Sequence, residues 1–393
     1  MGTIPRVLIV ADDLTGAMDS AGPFAAAGAE TWVVAAPMQC DPASLRSAAV
    51  VSVNTDTRHL TAAQAAARIR ETVRYLGTGD FQVIIKKIDS TLRGNVVAET
   101  LALLEATGRA GAVVAPAFPA QGRTVSAGVV YVNGTPLART GFAKDALSPP
   151  PLEPLHRAFA QATGGIQADA VPASAAFEGK RDRIWVVDSA VDADLSRMVD
   201  TIRPRLGTLL LAGSAGLTQA LARACFPAPK APAGVGKVKG TIVFAVGSRA
   251  VQSAEQVEAL AGDPETRVLR APNGCLQDGD MPAARNLVLK ATTDDDGREG
   301  NAEQVAADMA RHAIDVARRT RAEALVATGG DTAIAILSAS GNPALQVLGD
   351  LMPGIPYARI RLNGSALWLV TKAGGFGGRE TFRELVHKLR GNA

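Results

Sequence analysis

Short apolar runs alternate with helical patterns along the first half of the chain. The runs cover residues 6–11, 31–35, 49–53, 81–85, 111–115, 183–187 and 208–212. Each is short and bounded by polar or turn-forming residues, which is typical of buried parallel strands. Helical patterns lie between them, ending near Ala27 and covering about 62–75, 95–107 and 192–203. This alternation predicts a doubly wound parallel sheet.

A second α/β pattern follows a change in composition. Residues 227–240 are rich in Pro, Ala, Gly and Lys, which is typical of a linker. Beyond them the pattern predicts strands at 241–246, 324–328 and 367–370, helices at 253–260, 301–320 and 331–339, and an exposed loop at 292–302. The fold class is therefore α/β, with two doubly wound, mostly parallel-sheet domains at 1–230 and 238–393 and a crevice between them. Residues 116–150 are rich in Gly, Pro and Thr and predict a functional loop or a small hairpin.

Composition and charge exclude several classes of protein. The 393 residues include 41 basic and 38 acidic side chains, so the net charge of +3 comes from nearly balanced signs. That balance argues against a nucleic-acid partner. The 3 cysteines are far apart and form no C-x-x-C pair, which argues against a zinc knuckle or a disulfide framework. The chain starts without a signal-peptide pattern and has no apolar run of roughly 18 residues, so we expect no membrane partner and a cytoplasmic location.

Polar residues of mixed charge follow the strands of the first half, where ligands of parallel sheets bind. Asp12 and Asp13 follow the first strand, and Arg58 and Arg123 follow two others. One aspartate would face the crevice and orient a hydroxyl while the other caps the next helix. The alternative is that both are capping and turn residues.

Residues 86–94 form the densest polar run of the chain. They contain Lys86, Lys87, Asp89, Ser90, Thr91 and Arg93, which supply three cations, one carboxylate and two hydroxyls. Such a group suits an anionic ligand rich in hydroxyls, with cations for a carboxylate and Asp89 for a hydroxyl. The alternative is a charged helix start.

Glycines and small hydroxyls follow the strands of the second half. The turns are Gly247–Ser248, Gly329–Thr332 and Gly374–Gly375. Glycine lets the backbone approach a ligand, and a helix N-terminus offers free N–H groups to an anion. None of them is a Walker A loop or a G-x-G-x-x-G fingerprint. The set indicates a phosphate or nucleotide cradle, and ordinary strand-to-helix turns are the alternative.

Several long motifs resemble those of the four-carbon acid sugar kinase family. They are ADDLTGA at 11–17, KKIDSTLRG at 86–94, PAFPAQGRT at 116–124 and YVNGTPL at 131–137. Later blocks are GSAGL at 213–217, TGGDT at 328–332 and TKAGGFG at 371–377. The resemblance runs in order over nearly the whole chain.

The resemblance implies an ATP-dependent kinase that phosphorylates the terminal hydroxyl of a small sugar acid such as threonate, erythronate or a 3-oxo-tetronate. The N-terminal domain would bind the acid and the C-terminal domain the nucleotide. We expect the catalytic carboxylate among Asp89, Asp13 and Asp12, and Mg²⁺ held mainly through the ATP phosphates, with its protein ligands left open. The predicted substrate contacts are Asp13, Arg58, Lys87, Asp89, Ser90, Arg93 and Arg123. The predicted nucleotide contacts are Ser248, Gly329, Gly330, Asp331, Thr332, Gly374 and Gly375.

One departure keeps alternatives open. The family's nucleotide turn usually reads Gly-Ser-x-Ser, whereas this chain has Gly247-Ser248-Arg249-Ala250, so the residue that contacts phosphate is open. A non-catalytic sugar-acid sensor on the same scaffold and a kinase for a branched sugar acid are the alternatives. A dehydrogenase would need a glycine fingerprint after the first strand, where Asp12 and Asp13 stand. The particular acid and a homodimeric state are left open.

Overall fold

The computed structural model describes residues 4–145, 148–177, 182–226, 237–276, 282–293, 301–362 and 364–391. The chain divides into two compact units, Met1–Lys230 and Ala231–Ala393. Most of the predicted linker (227–236) and of the predicted exposed loop (294–300) lies outside the described residues.

The N-terminal unit is built on a parallel sheet of eight strands. In chain order, the strands of this unit are β1 (Val7–Ala11), β2 (Thr31–Val34), β3 (Val50–Asn54), β4 (Val83–Lys87), β5 (Gly111–Ala115), β6 (Arg123–Ser126), β7 (Val129–Val132), β8 (Thr135–Pro136), β9 (Gln167–Pro172), β10 (Arg183–Asp188) and β11 (Leu209–Gly213). Strands β6, β7 and β8 form a separate small sheet, and the others form the large parallel sheet. The large sheet has the order β2-β3-β1-β4-β11-β5-β10-β9. Its central strands are buried along their whole length, as their continuous apolar runs predict.

Helices connect these strands, and the local sequence sets their ends. They are α1 (Leu14–Ala26), α2 (Ala62–Leu76), α3 (Val96–Thr107), α4 (Leu155–Thr163), α5 (Asp192–Ile202) and α6 (Ala215–Cys225). Asp13 caps α1, and Thr61 with Gln64 forms a capping box on α2. Gly108 ends α3 in the left-handed conformation that glycine adopts readily. The predicted strands and helices of this unit are confirmed, while α4, α6 and β9 were not predicted.

The fourth strand lies two residues later than its apolar run suggested. Lys86 and Lys87 are the last residues of β4, not the start of a loop, and Val10 and Ala11 of β1 pair with them. Both lysines are buried. Successive side chains of a strand point to opposite faces, so the two lysines serve different purposes.

The region 116–150 contains a small hairpin, one of the two structures that its composition predicts. Strands β6, β7 and β8 form an antiparallel three-stranded sheet. Its first turn is fixed by Asp188, whose carboxylate accepts hydrogen bonds from the amides of Ala127 (2.8 Å) and Gly128 (3.0 Å). Both turn residues have positive φ, 49° and 72°, as tight hairpins require.

The C-terminal unit contains a mostly parallel sheet with an antiparallel end. Its strands are β12 (Ile242–Val246), β13 (Thr266–Pro272), β14 (Asn286–Thr292), β15 (Ala324–Thr328), β16 (Ala344–Met352), β17 (Ile355–Leu362) and β18 (Ser365–Lys372), and its helices are α7 (Val251–Ala261), α8 (Ala302–Arg319), α9 (Gly330–Ala339) and α10 (Thr381–Leu389). The strand order is β13-β14-β12-β15-β18-β17-β16, with β17 antiparallel to both of its neighbours. Phe244 of β12 packs on Phe382 of α10, with ring centroids 5.1 Å apart, in the core between sheet and helix.

Four strands of each unit have the same order and connectivity. In each, the first strand lies between the third and the fourth, giving β2-β3-β1-β4 and β13-β14-β12-β15. The chain therefore switches direction across the sheet beside β1 in one unit and beside β12 in the other. In open α/β sheets ligands bind at the carboxyl ends of the strands that flank such a switch point. Those ends carry Asp12–Asp13 and Lys87–Asp89 in the first unit, and Gly247–Ser248 and Gly329–Thr332 in the second.

Candidate active site

At the switch point of the N-terminal unit, two carboxylates meet one guanidinium. Arg58 donates from Nε to Asp12 Oδ2 (2.7 Å), from Nη2 to Asp12 Oδ1 (3.2 Å) and from Nη1 to Asp13 Oδ2 (2.6 Å). Asp13 also caps α1, because its Oδ1 accepts from the amide of Gly16 at 2.8 Å. The capping role is thus confirmed. The expectation that adjacent aspartates face different ways is wrong here, since both reach Arg58.

Arg58 is held in this position by the backbone. Its amide donates to the carbonyl of Asp12 at 3.3 Å, so the loop after β3 lies against the end of β1. Burial alone would raise the pKa of Asp12, but the charges of Arg58, Lys86 and Lys87 outweigh it and hold that pKa below its ordinary value. Asp12 is therefore ionised at neutral pH.

Asp89 organises the loop that follows β4. Its Oδ2 accepts from the amide (3.1 Å) and hydroxyl of Thr91, and from the amide (3.4 Å) and Nε (3.0 Å) of Arg93, while its Oδ1 accepts from Arg93 Nη2 (2.9 Å). Burial would raise the pKa of Asp89, but the hydrogen bonds and charge of Arg93, with the charge of Arg58, lower it far below its ordinary value. Asp89 is thus a permanent anion at neutral pH.

The same loop approaches the aspartate pair. A Cβ added to Gly94 would lie 3.3 Å from Asp12 Oδ2 and 3.4 Å from Arg58 Cγ, at a φ of +86°. The structure therefore brings together Asp12, Asp13, Arg58, Asp89 and Arg93, which come from three separate strand ends.

Lys87 and Asp19 border this cluster on the side of α1. A Cβ on Gly16 would lie 3.3 Å from Lys87 Nζ, so the absence of a side chain at Gly16 leaves space for the lysine side chain against α1. Asp19 follows Gly16 by three residues and so lies on the same side of α1 one turn on. Burial is the main cause that raises the pKa of Asp19 to about 6, and the charges of Asp13 and Asp89 add to the rise against the opposing charge of Lys87. Sequence reasoning missed Asp19, because only the fold places it near these charges.

Arg123 has a buried donor that no described residue satisfies. Its Nη1 donates to the carbonyl of Gln121, but its buried Nε has no hydrogen-bond partner in the described part of the chain. Burial lowers the pKa of Arg123, and Asp89 and Arg93 lie close enough to influence it electrostatically. Ser90 is half-buried and makes no side-chain hydrogen bond with any described residue. Both predicted positions therefore keep free hydrogen-bonding capacity.

Lys86 is not part of this cluster, although it belongs to the dense polar run. Its Nζ forms an ion pair with Glu99 Oε2 of α3 at 2.7 Å, and both side chains are 1% exposed. The ammonium also donates to the carbonyls of Val10 (3.3 Å) and Lys87 (2.7 Å). Lys86 thus joins strand to helix inside the core, on the face opposite Lys87.

In the C-terminal unit the glycine turns converge. A Cβ on Gly247 would overlap Thr332 Oγ1, and one on Gly374 would overlap Ser248 Oγ. Gly329, at a φ of +103°, precedes α9, and its amide donates to the carbonyl of Lys372 at 2.9 Å. The predicted nucleotide residues, Ser248, Gly329 to Thr332, Gly374 and Gly375, are thereby gathered at the second switch point. The turn Gly247-Ser248-Arg249-Ala250 is the one that differs from the usual family sequence. There, Ser248 Oγ accepts a hydrogen bond from the amide of Ala250 at 3.2 Å.

Two features are absent from the part of the chain that the structure describes. No group of three or more His, Cys, Asp and Glu side chains is arranged to hold a metal ion there. Within the same residues, no helix has both the length and the apolar character needed to cross a membrane.

The fold and the strand-end residues define a class of α/β proteins with two units, one with a charged switch point and the other with a glycine-lined one. Comparison with known families agrees with this division. The family model described as "Sugar-binding N-terminal domain" matches residues 7–221, and the one described as "Nucleotide-binding C-terminal domain" matches residues 243–382. The chain belongs to the four-carbon acid sugar kinase family, so the resemblance of its motifs is confirmed.

Curated relatives match over nearly their full length. A D-threonate kinase from Bordetella bronchiseptica is 34% identical, with 98% of each chain covered. A D-threonate kinase from Cupriavidus necator is 34% identical over 94% of each chain. A 3-oxo-tetronate kinase from Brucella melitensis is 28% identical over 96% of this chain and 94% of its own.

Solved structures show the same fold. A Salmonella typhimurium LT2 protein has a TM-score of 0.76 at 21% identity, covering 97% of this chain and 98% of its own. Haemophilus influenzae protein HI1011 has a TM-score of 0.71 at 19% identity, covering 97% and 100%. These likenesses confirm the α/β fold class.

Proposed function

We propose that this protein transfers the γ-phosphoryl group of ATP to the terminal hydroxyl of a four-carbon sugar acid such as threonate, erythronate or a 3-oxo-tetronate. The unit at 1–230 would bind the acid and the unit at 238–393 the nucleotide. The curated relatives carry the names D-threonate kinase and 3-oxo-tetronate kinase, which supports this reaction class.

The observation that carries the proposal is the charged cluster at the switch point beside β1. It offers the ammonium of Lys87, the guanidinium of Arg93 and the unpartnered Nε of Arg123. A carboxylate ligand is stabilised by such charge-assisted donors, and a buried donor without a partner has a free-energy cost until a ligand satisfies it. We therefore propose Lys87, Arg93 and Arg123, with Ser90, as the contacts of the substrate carboxylate and its neighbouring oxygens.

In this proposal Arg58 does not bind the substrate carboxylate directly. Three of its five N–H groups are used by Asp12 and Asp13. Arg58 thus fixes the two carboxylates, and these in turn can accept hydrogen bonds from the hydroxyls of the substrate. Asp13 and Asp89 remain the proposed hydroxyl ligands, with Asp12 behind them.

The reaction forms a bond between the terminal hydroxyl oxygen and the γ-phosphorus and breaks the bond to the oxygen that leaves with ADP. Such transfers depend mainly on in-line positioning and on neutralising charge. Asp89 has a pKa far below neutrality, which makes it a weak base, so we assign it the orientation of the hydroxyl. Asp19, with a pKa raised to about 6, is the carboxylate better matched to taking up a proton near neutral pH.

In the C-terminal unit, the proposed nucleotide contacts are the turns at Ser248, Gly329–Thr332 and Gly374–Gly375. They fit phosphate groups, because their glycines let the turns pack closely against one another and α9 begins at Gly330, whose first amides have no intrahelical partner. Mg²⁺ bound through the phosphates would neutralise their charge. Asp331, exposed in the first turn of α9 among these turns, is the carboxylate that we propose as a protein ligand of that ion.

The direct test is a kinase screen over four-carbon and branched sugar acids, with ³¹P NMR of the product. We expect ATP-dependent formation of one phosphate ester on the terminal carbon, and no product from analogues that lack the terminal hydroxyl. ATP-dependent turnover of a branched acid alone would favour that alternative. Thermal stabilisation by sugar acids but not by ATP and Mg²⁺, with no product formed, would contradict the kinase and favour a sensor.

One relative bears on the acid site and on assembly. A Bordetella bronchiseptica protein, 31% identical over 99% of each chain at a TM-score of 0.50, was crystallised with bound citrate as a domain-swapped dimer. Citrate, as a hydroxylated carboxylate, is therefore a useful competitor in the screen. The homodimer and the cytoplasmic location stay predictions, and light scattering on the same preparation tests the first.

A further inference from the structure

Buried donors hold the carbonyls of the loop at 373–378, which follows β18. Lys372 Nζ donates to the carbonyl oxygens of Ala373 (2.7 Å), Gly374 (3.2 Å) and Phe376 (2.9 Å). From α7, Ser253 Oγ donates to Gly374 (2.8 Å), and Gln256 Nε2 donates to Phe376 (2.9 Å) and Gly378 (3.0 Å). All three donor side chains are buried. Four of the six carbonyls in this loop therefore point into the unit.

The direction of these carbonyls fixes the direction of the amides. In a trans peptide the N–H of one residue points away from the carbonyl of the residue before it, and no cis bond occurs among the described residues. The amides of Gly374, Gly375 and Gly377 thus point away from the buried donors. None of these three amides has a hydrogen-bond partner in the described part of the chain. Consecutive outward amides form a concave binding site for anions.

The charge beneath the loop has the sign that an anion needs. Lys372 is 1% exposed and forms no ion pair with any described residue. The ring of Phe382 lies 5.7 Å from its Nζ and favours the cation. Burial lowers the pKa of Lys372 to about 8, which still leaves the ammonium mostly protonated at pH 7.

The loop lies beside the other glycine turns. Gly374 contacts Ser248 so closely that a Cβ there would overlap the serine hydroxyl, and the amide of Gly329 donates to the carbonyl of Lys372. The outward amides therefore belong to the site gathered at the second switch point.

We propose that Lys372, Gln256 and Ser253 are positioning residues that turn the amides of the 373–378 loop outward and place a positive charge beneath them, so that this loop binds the terminal phosphates of the nucleotide. The inference deepens the proposed function and rests on it for the identity of the ligand as ATP. None of the three side chains needs to touch the nucleotide.

The test compares two ligands that differ only in their phosphates. Dissociation constants of ATP with Mg²⁺ and of adenosine are measured by calorimetry on the full chain, for the unmodified protein and for Lys372→Met and Gln256→Leu. We expect Lys372→Met to weaken ATP binding by about tenfold or more, because a charge and three carbonyl contacts are lost, and to change adenosine binding less than about twofold. Gln256→Leu should weaken ATP binding by about three- to tenfold. The matched control is Lys388→Met, which removes an exposed lysine of α10 and should change neither constant.

Adenosine binding also reports that each variant is folded. Equal losses for ATP and adenosine would show a merely structural role and overturn the inference, and so would unchanged ATP binding. If Lys372→Met does not fold, Gln256→Leu and Ser253→Ala decide by the same ratio. An unmodified protein that binds ATP no better than adenosine would overturn the inference. ATP binding that depends on Lys372, without phosphorylation of any acid, would refute the kinase while leaving the loop's role intact.

Discussion

Replacing Asp19 by asparagine should stabilise the protein, and more so at high pH. Asp19 is half-buried on α1, and burial together with Asp13 and Asp89 raises its pKa from 3.8 to about 6. A carboxyl whose pKa is raised by folding destabilises the folded state above the unfolded pKa, and the penalty grows until the pH passes the folded pKa. Asparagine keeps the size of the side chain and removes that penalty.

The shift sets the size of the effect. One pKa unit corresponds to about 1.4 kcal/mol, so the full penalty is about 3 kcal/mol at pH 8 and about 1.6 kcal/mol at pH 5, where the folded protein keeps most of its Asp19 protonated. Screening by solvent at a half-buried position reduces both, and we expect a gain in the free energy of unfolding of about 1.5 kcal/mol at pH 8 and about half of that at pH 5.

The assay is urea unfolding followed by tryptophan fluorescence in a Trp368→Phe background. The remaining tryptophans, Trp32 and Trp185, both lie in the N-terminal unit and report on its unfolding. Asp200→Asn, at an exposed position of α5, is the control and should change stability by less than about 0.5 kcal/mol at either pH. A loss of stability on Asp19→Asn, or an equal gain at both pH values, would refute the electrostatic reasoning.

Three further outcomes are expected. Lys86→Met should lower the free energy of unfolding in urea by about 3–5 kcal/mol, because Glu99 is left buried without its partner. The double variant with Glu99→Leu should recover most of that loss, and strictly additive losses would contradict the prediction. Asp89→Asn should lower kcat by about 10²-fold with little change in the KM for ATP, and an unchanged kcat in steady-state assays would remove Asp89 from the mechanism. Arg123→Gln should raise the KM for the sugar acid by about tenfold, whereas the exposed Arg139→Gln should leave it unchanged; equal effects of the two would indicate a general charge effect.

Strongly apolar strands and well-marked helix starts could be predicted from the sequence. The run before Asp12 gave β1, and Asp13 was recognised as one of two possible caps for α1. Strands β13, β14, β16 and β17 and helix α10 were not predicted. Polar and charged residues interrupt β13, β16 and β17, as in Thr266-Arg267-Val268, and β14 has an apolar run of only three residues, Leu287-Val288-Leu289. Strands that are exposed on one side or at an edge carry a weaker apolar signal than buried central ones.

The candidate site could be predicted only to the level of its segments. Because the carboxyl ends of parallel strands lie at one edge of the sheet, the polar residues at these ends predicted that Asp12, Arg58 and Asp89 lie close together. The partner of each side chain depends on the register and on which face it occupies. Lys86 and Lys87 are adjacent in sequence and of one type, yet one pairs with Glu99 in the core and the other lies against α1 at Gly16. Asp19 likewise gains its raised pKa from charges that only the folded chain brings near it.

The close packing around Gly16 and Gly94 has a consequence for how the charged cluster beside β1 could change in the course of evolution. A methyl group at Gly16 would approach Asp13 Oδ1 to 2.5 Å, and one at Gly94 would crowd Asp12. Substitutions within this interlocked set disturb several contacts at once, so single changes there would be lost to selection before they could alter the ligand. Ser90, whose hydroxyl bonds to no described side chain or backbone group, carries no such mutual constraint, so under the proposed function a new acid specificity would be expected to arise there.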